Sequence, residues 1–450
     1  MTTWTVAQVG AAVGAAGPEG AGTGIYTGVS TDTRTVQPGN LFVALAGERF
    51  DAHAFLDTAR TRGAAGAVVR RGTPPVDGLP FFAVDDTLAA LGLLARARRR
   101  RLPAGGGPVV AVTGSSGKTS VKEMIRAALA PRWRVHATAG NLNNLIGVPL
   151  TILGMPDDAD ALVVEAGASV PGEIARLRAI IEPTIAVITN VGHAHVEGFG
   201  SLEGVLREKV ALVDGVPLAI VGTVPPALAA EARRRTRTLV AGTGPDADVR
   251  PERCEQDDMG HARLTWRGAS VTLPVPGLHH AENAMLALAV ADAAGVATGA
   301  AVAALGAVAL PGGRGAMRQL GGLTVIDDTY NANPDSLRRA LELADWLARR
   351  QDRPLAVVVG SMLELGAESD RLHAALAAEI VARRPAIVGA VGAFEPAFAR
   401  HAAALGGRLV TAPDAEALGP ALRAALQGSE IVLLKASRGV ALERVLRHLQ

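Results

Sequence analysis

Cysteine is almost absent from this chain, with one residue, Cys254, among 450. A single thiol cannot close an internal disulfide, and a metal site built on cysteine is excluded. Aromatic residues are scarce, at 3% against 49% hydrophobic content, so the core must be made largely from alanine, valine and leucine. An excess of either charge is missing too: 45 basic and 43 acidic side chains leave a formal net charge of +2. That balance implies neither a polyanion-binding face nor an acidic tail, and no nucleic-acid partner is expected. No uninterrupted apolar run reaches the length needed to cross a bilayer, which argues against stable membrane insertion. The N-terminal "MTTWTVAQVGAAVGAAG" lacks the basic start and apolar core of a secretory signal. No fixed-period repeat is present. A soluble protein of a reducing compartment, the cytoplasm, is expected.

What is present is length and punctuation. The chain is too long for one ordinary domain. Two glycine-rich stretches, "LPAGGGP" (Leu102 to Pro108) and "LPGGRGAMRQLGG" (Leu310 to Gly322), divide it into expected domains 1–105, 106–312 and 313–450. The basic run Arg98 to Arg101 reads as the solvated end of a helix entering the first linker. In the middle segment the apolar runs "PVVAVTGS", "ALVVEAG", "TIAVITNV" and "PLAIVGT" alternate with helical stretches, which predicts a parallel sheet covered on both faces. "ARLTWRGASVTLPVPG" reads as a hairpin or a pair of edge strands. The last segment repeats the alternation with "LTVIDD", "LAVVVGS", "AIVGAVG", "RLVTA" and "IVLLKAS", a second, Rossmann-like α/β domain. The first segment is mixed, its clearest strands being "GNLFVALAG" and "GAVVR".

Chemistry concentrates at strand exits. "VVAVTGSSGKTSVKEM", Val109 to Met124, runs from a strand through a glycine turn into an amphipathic helix. It departs from G-x-x-x-x-G-K-[ST], since Val112 stands where that pattern has its first glycine. A plain strand–helix turn remains one reading. The other is a phosphate loop, in which helix N–H groups and dipole meet an anion, Lys118 supplies a point charge and the Thr119 hydroxyl can ligate Mg²⁺. Glu165 closes an apolar run, where a carboxylate must be paired or coordinated. "NVGHAHVEGFGS" carries His193, His195 and Glu197, as solvated loop residues or as ligands. "VIDDTYNANPDSLRRAL" offers Asp327, Asp328, Asn331 and Asn333; Asn333–Pro334 makes a helix start, but the cluster exceeds what one cap needs. "LKASRGVALERV" brings Lys435, Ser437 and Arg438, and Arg314 lies in the second joint.

Taken in order, "TGSSGKTSVKEM", "AGNLNNLIGVPLTIL", "EAGASVPGEIA", "NVGHAHVEGFGS", "DDTYNANPDSL" and "VVGSMLELGAES" resemble the Mur ligases of peptidoglycan synthesis, from about Val29 to Arg438. Their phosphate loop is spelled TGxxGKT/S, which Gly114, Gly117, Lys118 and Thr119 match and in which Val112 is normal. The resemblance implies three α/β domains: an N-terminal UDP-sugar-binding domain, a central P-loop ATPase-like parallel sheet and a C-terminal Rossmann-like domain. It implies ATP and Mg²⁺, an acyl-phosphate route, and a monomer. "YNANP", with no DNPR motif, points to the branch that joins D-alanyl-D-alanine to UDP-N-acetylmuramoyl-tripeptide. A tripeptide-forming ligase, a folylpolyglutamate synthase and a regulatory nucleotide-binding protein without chemistry are the alternatives.

Carried over residue by residue, Lys118, His195 and Lys209 are the implied catalytic groups. Gly114, Ser115, Ser116, Gly117, Lys118, Thr119, Ser120, Asn283, Arg314 and Asp328 would bind ATP. Ser30, Asp32, Arg34, Gly47, Glu48, Arg49 and Phe50 would meet the UDP-sugar or its peptide. Asn141, Asn143, Asn144, Tyr330, Asn331, Asn333, Lys435, Ser437 and Arg438 complete the substrate site. Thr119, Glu165, His195 and Lys209, the last as a carbamate, would hold metal. In "PGLHHAENA" the usual His-Asn-x-x-Asn is broken by His280, with Asn283 retained. Whether the third peptide residue is diaminopimelate or lysine stays open.

Overall fold

A computed structural model describes residues 3–17, 24–47, 50–103 and 105–449. The chain forms two compact units, one of Met1–Val112, Arg132–Ala168 and Gly172–Ala186, the other of Thr113–Pro131, Ser169–Pro171 and Val187–Gln450. No helix among the described residues is long and apolar enough to cross a membrane.

The first unit opens with a four-stranded parallel sheet in the order Val29–Ser30, Leu41–Val43, Gly66–Arg70, Phe81–Val84. Strand parity sorts its side chains. Leu41, Val43 and Val68 pack with Trp4, Phe82 and Leu91 on one face, while Phe42, Ala67 and Val69 pack with Leu56 and Leu79 on the other. The helix Thr87–Arg99 starts at Asp86, whose carboxylate accepts from the amides of Leu88 and Ala89 at 2.8 and 3.0 Å.

Its basic end is a correction to the sequence reading, because it is no solvated terminus. Arg98 is 4% exposed and donates to the carbonyls of Met155 and Pro156 and to Asp157. Arg99 donates to the carbonyls of Ile181 and Glu182, and Arg96 and Arg100 grip the Glu182 carboxylate. Those two arginines, Arg100 first, hold the Glu182 carboxyl down to about 2. Hydrogen bonds from a charged donor contribute roughly 1.5–3 kcal/mol each. The run therefore fastens the N-terminal helix to a flank of the central fold.

The central sheet has the order Val135–Ala137, Ala161–Glu165, Val109–Thr113, Ile185–Ile188, Leu218–Val221, Thr238–Val240. Its first four-residue-plus apolar run, Val109–Thr113, lies in the middle with later strands on both sides. The strand order reverses beside it, and sheets of this kind bind ligands outside the carboxyl ends of the strands at such a point. Three antiparallel strands, Arg253–Gln256, His261–Trp266 and Ala269–Pro276, follow and lead into the largely buried helix His279–Ala293.

The C-terminal sheet has the order Ala316–Leu320, Leu323–Asp328, Ile431–Lys435, Leu355–Val359, Ile387–Val391, Leu409–Ala412. Parity again divides two cores, with Val357, Val359 and Leu433 on one face and Ala356, Val358 and Leu434 on the other. All neighbours are parallel except the first strand. That strand was read as linker. It pairs antiparallel with Leu323–Asp328 through a two-glycine turn, Gly321–Gly322, in which Gly321 has φ 58°.

Candidate active site

The loop after Val109–Thr113 is shaped by two obligatory glycines. Gly114 has φ 145°, and a β-carbon there would lie 2.0 Å from Thr189 Oγ1. Gly117 has φ 79°, and a β-carbon there would lie 3.1 Å from Asn283 Oδ1. The loop is stitched to the next strand exit. Thr189 Oγ1 donates to the Ser116 carbonyl at 2.6 Å, and the Ser115 and Ser116 amides donate to Asn190 O and Oδ1 at 3.0 and 3.1 Å. The Ser115 hydroxyl bridges the carbonyl and amide of Gly192. Ser115 and Ser116 thus commit their amides to loop shape. Attraction for an anion rests instead on the start of the helix Lys118–Leu129, which has no side-chain cap. Lys118 curls over the loop, Nζ donating to Gly114 O at 2.8 Å. Thr119 and Ser120 are buried.

Asn283 borders a cavity that Asn190, Val224, Glu282 and Arg339 also line, beside the loop. His280, the departure from the family pattern, supports it: Asn283 Nδ2 donates to His280 Nδ1 at 3.3 Å, leaving Oδ1 towards Gly117. Burial holds the His280 imidazole down to about 4, so it stays a neutral acceptor.

The histidine turn lies in the same unit. His195 has φ 56° and precedes the short helix Val196–Phe199. Its Nδ1 meets the carboxylate of Glu364, off the direction of an aligned hydrogen bond. The His195 contact, with Lys118 adding, keeps the Glu364 carboxyl below its usual range although partial desolvation opposes it. The His193 amide donates to Asp335 at 3.1 Å. Lys209, in the helix Leu202–Val210, is fully buried, with Nζ 5.5 Å from the centre of the Phe199 ring.

From the C-terminal sheet, Lys435 Nζ bridges Asp328 Oδ2 at 2.5 Å and the Asn331 carbonyl at 3.0 Å. Burial pushes the Asp328 carboxyl up, against the pull of Lys435 and Arg314. Arg314 lies 3.8 Å over the Tyr330 ring, and its buried Nε has no hydrogen-bond partner. Asn333 caps the helix Pro334–Arg350 reciprocally with Ser336 and also donates to the Ser115 carbonyl at 3.4 Å. The cap and the site contact are the same residue.

In the first unit, Glu165 ends its strand 3% exposed and accepts from Asn143 Nδ2 at 2.9 Å. Asn144 Oδ1 accepts from the amides of Ile146 and Gly147 ahead of the next helix, and the Asn141 carbonyl accepts from the Asn143 amide.

Two family models match: the Mur ligase middle domain over residues 112–291 and the "Mur ligase, glutamate ligase domain" over 313–438. The UDP-N-acetylmuramoyl-tripeptide–D-alanyl-D-alanine ligase of Bacillus subtilis is 36% identical over 437 residues, 94% of this chain and 93% of that one. The chain belongs to the Mur ligase family. Among solved structures, MurF from Acinetobacter baumannii superposes with a TM-score of 0.89 at 31% identity, covering 100% of this chain and 99% of that one. MurF ligase from Thermotoga maritima, in complex with ADP, gives 0.81 at 30% identity over 94% and 96%.

The structure places the other residues expected at a Mur ligase site in the following contacts. Ser437 stitches loops, accepting from the Leu363 amide at 2.9 Å and donating to the Ala332 carbonyl. Arg438 is exposed and pairs with Glu443. The Asn331 side chain accepts from the Ala332 amide. In the N-terminal sheet, Ser30 is buried and donates to the Asp32 carbonyl, while Arg34 holds the Asp32 carboxyl down to about 2. Gly47 and Phe50 flank a hairpin, Phe50 stacking on Phe55 at 5.4 Å. Glu48 and Arg49 lie outside the described residues. Sequence reasoning missed Asp335, although it follows "YNANP", and Glu364, although "VVGSMLELGAES" was among the stretches carrying the resemblance.

Among the described residues, no three His, Cys, Asp or Glu side chains gather as a protein-only metal cage. Mg²⁺ does not need one, since it keeps water and phosphate oxygens and takes one or two carboxylates. Glu165, oriented by Asn143 at a buried strand end, suits that role.

Proposed function

We propose that this chain joins D-alanyl-D-alanine to UDP-N-acetylmuramoyl-tripeptide, driven by ATP through an acyl phosphate, giving the pentapeptide, ADP and phosphate. One observation carries the reading: a relative bearing that ligase name matches over more than nine-tenths of both chains. The grouping of Lys118, His195, Asn333 and Asp335 in one compact unit supports it. Residues 1–105 are assigned to the UDP-sugar, 106–312 to ATP and 313–450 to the dipeptide and part of the nucleotide. The lone half-buried thiol of Cys254 fits a reducing compartment, the cytoplasm.

The reaction brings two anions together, so cations must precede chemistry. Lys118 and the helix start offset charge on the phosphoryl group passing to the peptide carboxylate. Thr119 and Glu165 are each assigned to Mg²⁺, and His195 with carbamylated Lys209 would hold a second ion. Bound there, the metal would neutralise phosphate and carboxylate oxygens. Arg314, stacked on Tyr330, offers its guanidinium to the nucleotide, and Asp328, oriented by Lys435, offers an acceptor to a ribose or an amine. The dipeptide amine then attacks the acyl carbon, phosphate leaves, and the amine loses its proton. The Asn283 amide beside Gly117 suits the adenine ring of ATP.

Purified protein with ATP, Mg²⁺, UDP-N-acetylmuramoyl-tripeptide and D-alanyl-D-alanine should form the pentapeptide by mass, with ADP and phosphate released only when both substrates are present. Formation of AMP and pyrophosphate, or ADP release without dipeptide, would overturn the reading. A panel with diaminopimelate or lysine at the third position decides the natural substrate.

A further inference from the structure

Two carboxylates from the C-terminal sequence close on the turn that carries His195. Asp335 takes the His193 amide, and a β-carbon on Gly192 would sit 2.1 Å from its Oδ2. Glu364 reaches His195 Nδ1 with its carboxylate and accepts from the Glu197 amide with its carbonyl at 3.2 Å. His195 and Glu364 are both non-glycine residues in the left-handed region, at φ 56° and 64°. Such conformations persist only where the surroundings hold them. The loop bearing Glu364 is held: Met362 N donates to His373 Nε2 at 2.9 Å, Leu363 N to Ser437 Oγ at 2.9 Å, and Ser437 N to Ser361 O at 3.1 Å.

A carboxylate oxygen against an unprotonated ring nitrogen would set lone pair against lone pair. Nδ1 therefore carries the proton, and the Nε2 lone pair is free for another partner. Histidines that bind metal through one nitrogen commonly give the other N–H to a carboxylate, which fixes tautomer and ring orientation. We propose that Glu364 is a positioning residue that fixes His195 as the Nδ1–H tautomer and so presents Nε2 as a metal ligand. This rests on the assignment of His195 to metal made above. Because Glu364 arrives on the loop of residues 360–366, the ligand is set only while that loop is docked on the turn.

The test compares Glu364→Ala and Glu364→Asp with Glu368→Gln, a partly exposed neighbour paired with Arg371. Ring ¹⁵N shifts of histidine-labelled protein, with His195 assigned from its loss in His195→Gln, read the tautomer without nucleotide or peptide. Wild type, Glu364→Asp and Glu368→Gln should show Nδ1–H, and Glu364→Ala a mixture or the Nε2–H form. Mn²⁺ titrated by electron paramagnetic resonance in the presence of a non-hydrolysable ATP analogue should bind about 10–100-fold more weakly to Glu364→Ala, with partial recovery in Glu364→Asp. An unchanged tautomer in Glu364→Ala overturns the proposal. A switched tautomer with unchanged Mn²⁺ affinity overturns the ligand role of Nε2. Absence of ligase activity in wild type, with the tautomer switching as expected, would count against the function and leave the positioning role standing.

Discussion

Replacing Gly114 by alanine asks whether the loop works as a rigid phosphate cradle. The added β-carbon would lie 2.0 Å from Thr189 Oγ1 and 3.1 Å from both Thr189 N and Asn190 O. Ordinary contact begins near 3.4 Å. Loop or strand exit must therefore move by more than about 1 Å, and the bond from Thr189 Oγ1 to the Ser116 carbonyl must stretch or break. The φ of 145° adds strain for any L-residue, roughly 1–3 kcal/mol. A misplacement of about 1 Å beside reacting groups lowers rate on the order of 10²-fold, about 2.7 kcal/mol of transition-state stabilisation. Steady-state phosphate release with all three substrates should show that fall in kcat/KM for ATP. Thr189→Ala removes the nearest atom. The double variant should thus be milder than the sum of the singles, by about 1 kcal/mol or more, while the backbone contacts keep it below wild type. Gly114→Ala within threefold of wild type, or strict additivity, would refute the reasoning.

Two further outcomes test the proposed metal site and the departure at His280. Lys209→Ala should be nearly inactive and partly rescued by acetate or formate in the phosphate-release assay, whereas Arg207→Ala, exposed on the same helix, should need no rescue; full activity of Lys209→Ala would end the carbamate assignment. Burial holds His280 near 4, so between that value and the free-imidazole value of about 6.5 the unfolded chain binds a proton that the folded chain refuses. Its contribution is present in full above about pH 6.5 and is lost as pH falls towards 4, by up to about 3 kcal/mol. In His280→Asn, thermal midpoints between pH 7 and pH 5 should fall less steeply than in wild type. An unchanged slope would contradict a neutral buried His280.

The phosphate loop was legible because its constraint is local. Gly114 and Gly117 are glycine for reasons of φ and close approach, and the strand before them is apolar because both its faces are buried. The α/β alternation was legible for the same reason. What escaped depends on partners far away in sequence. Nothing local says that the amides of Ser115 and Ser116 go to Asn190, or that the Arg98 guanidinium finds two carbonyls near residue 155. In "NLNN" the spacing shows three amides but not their division of labour, with Asn143 on Glu165 and Asn144 on a helix start. Nor does anything local say that Glu364 stands on a loop anchored to Ser437 and His373.

One property of the composition acquires meaning only against these positions. Of 45 basic residues, four are lysines: Lys118, Lys122, Lys209 and Lys435. Surface pairs use arginine throughout, as in Arg71–Asp85 or Arg267–Asp292. The lysines are buried or partly so, with Lys122, Lys209 and Lys435 at 1%, 0% and 2% exposure. An ammonium is compact and can lose its proton, and a guanidinium is neither. Lys435 donates from one compact ammonium to both Asp328 and a backbone carbonyl, and the carbamate proposed on Lys209 requires a neutral amine that arginine cannot supply. Lys122 separates the two explanations. It has no assigned reaction, yet it sits inside the phosphate-loop helix, 2.6 Å from Glu123, whose carboxyl it and Arg126 pull down against burial. Its ammonium makes an ion pair inside the helix. A buried lysine beside the site can thus be structural, and it is evidence of chemistry only when its amine also meets a group it can act on.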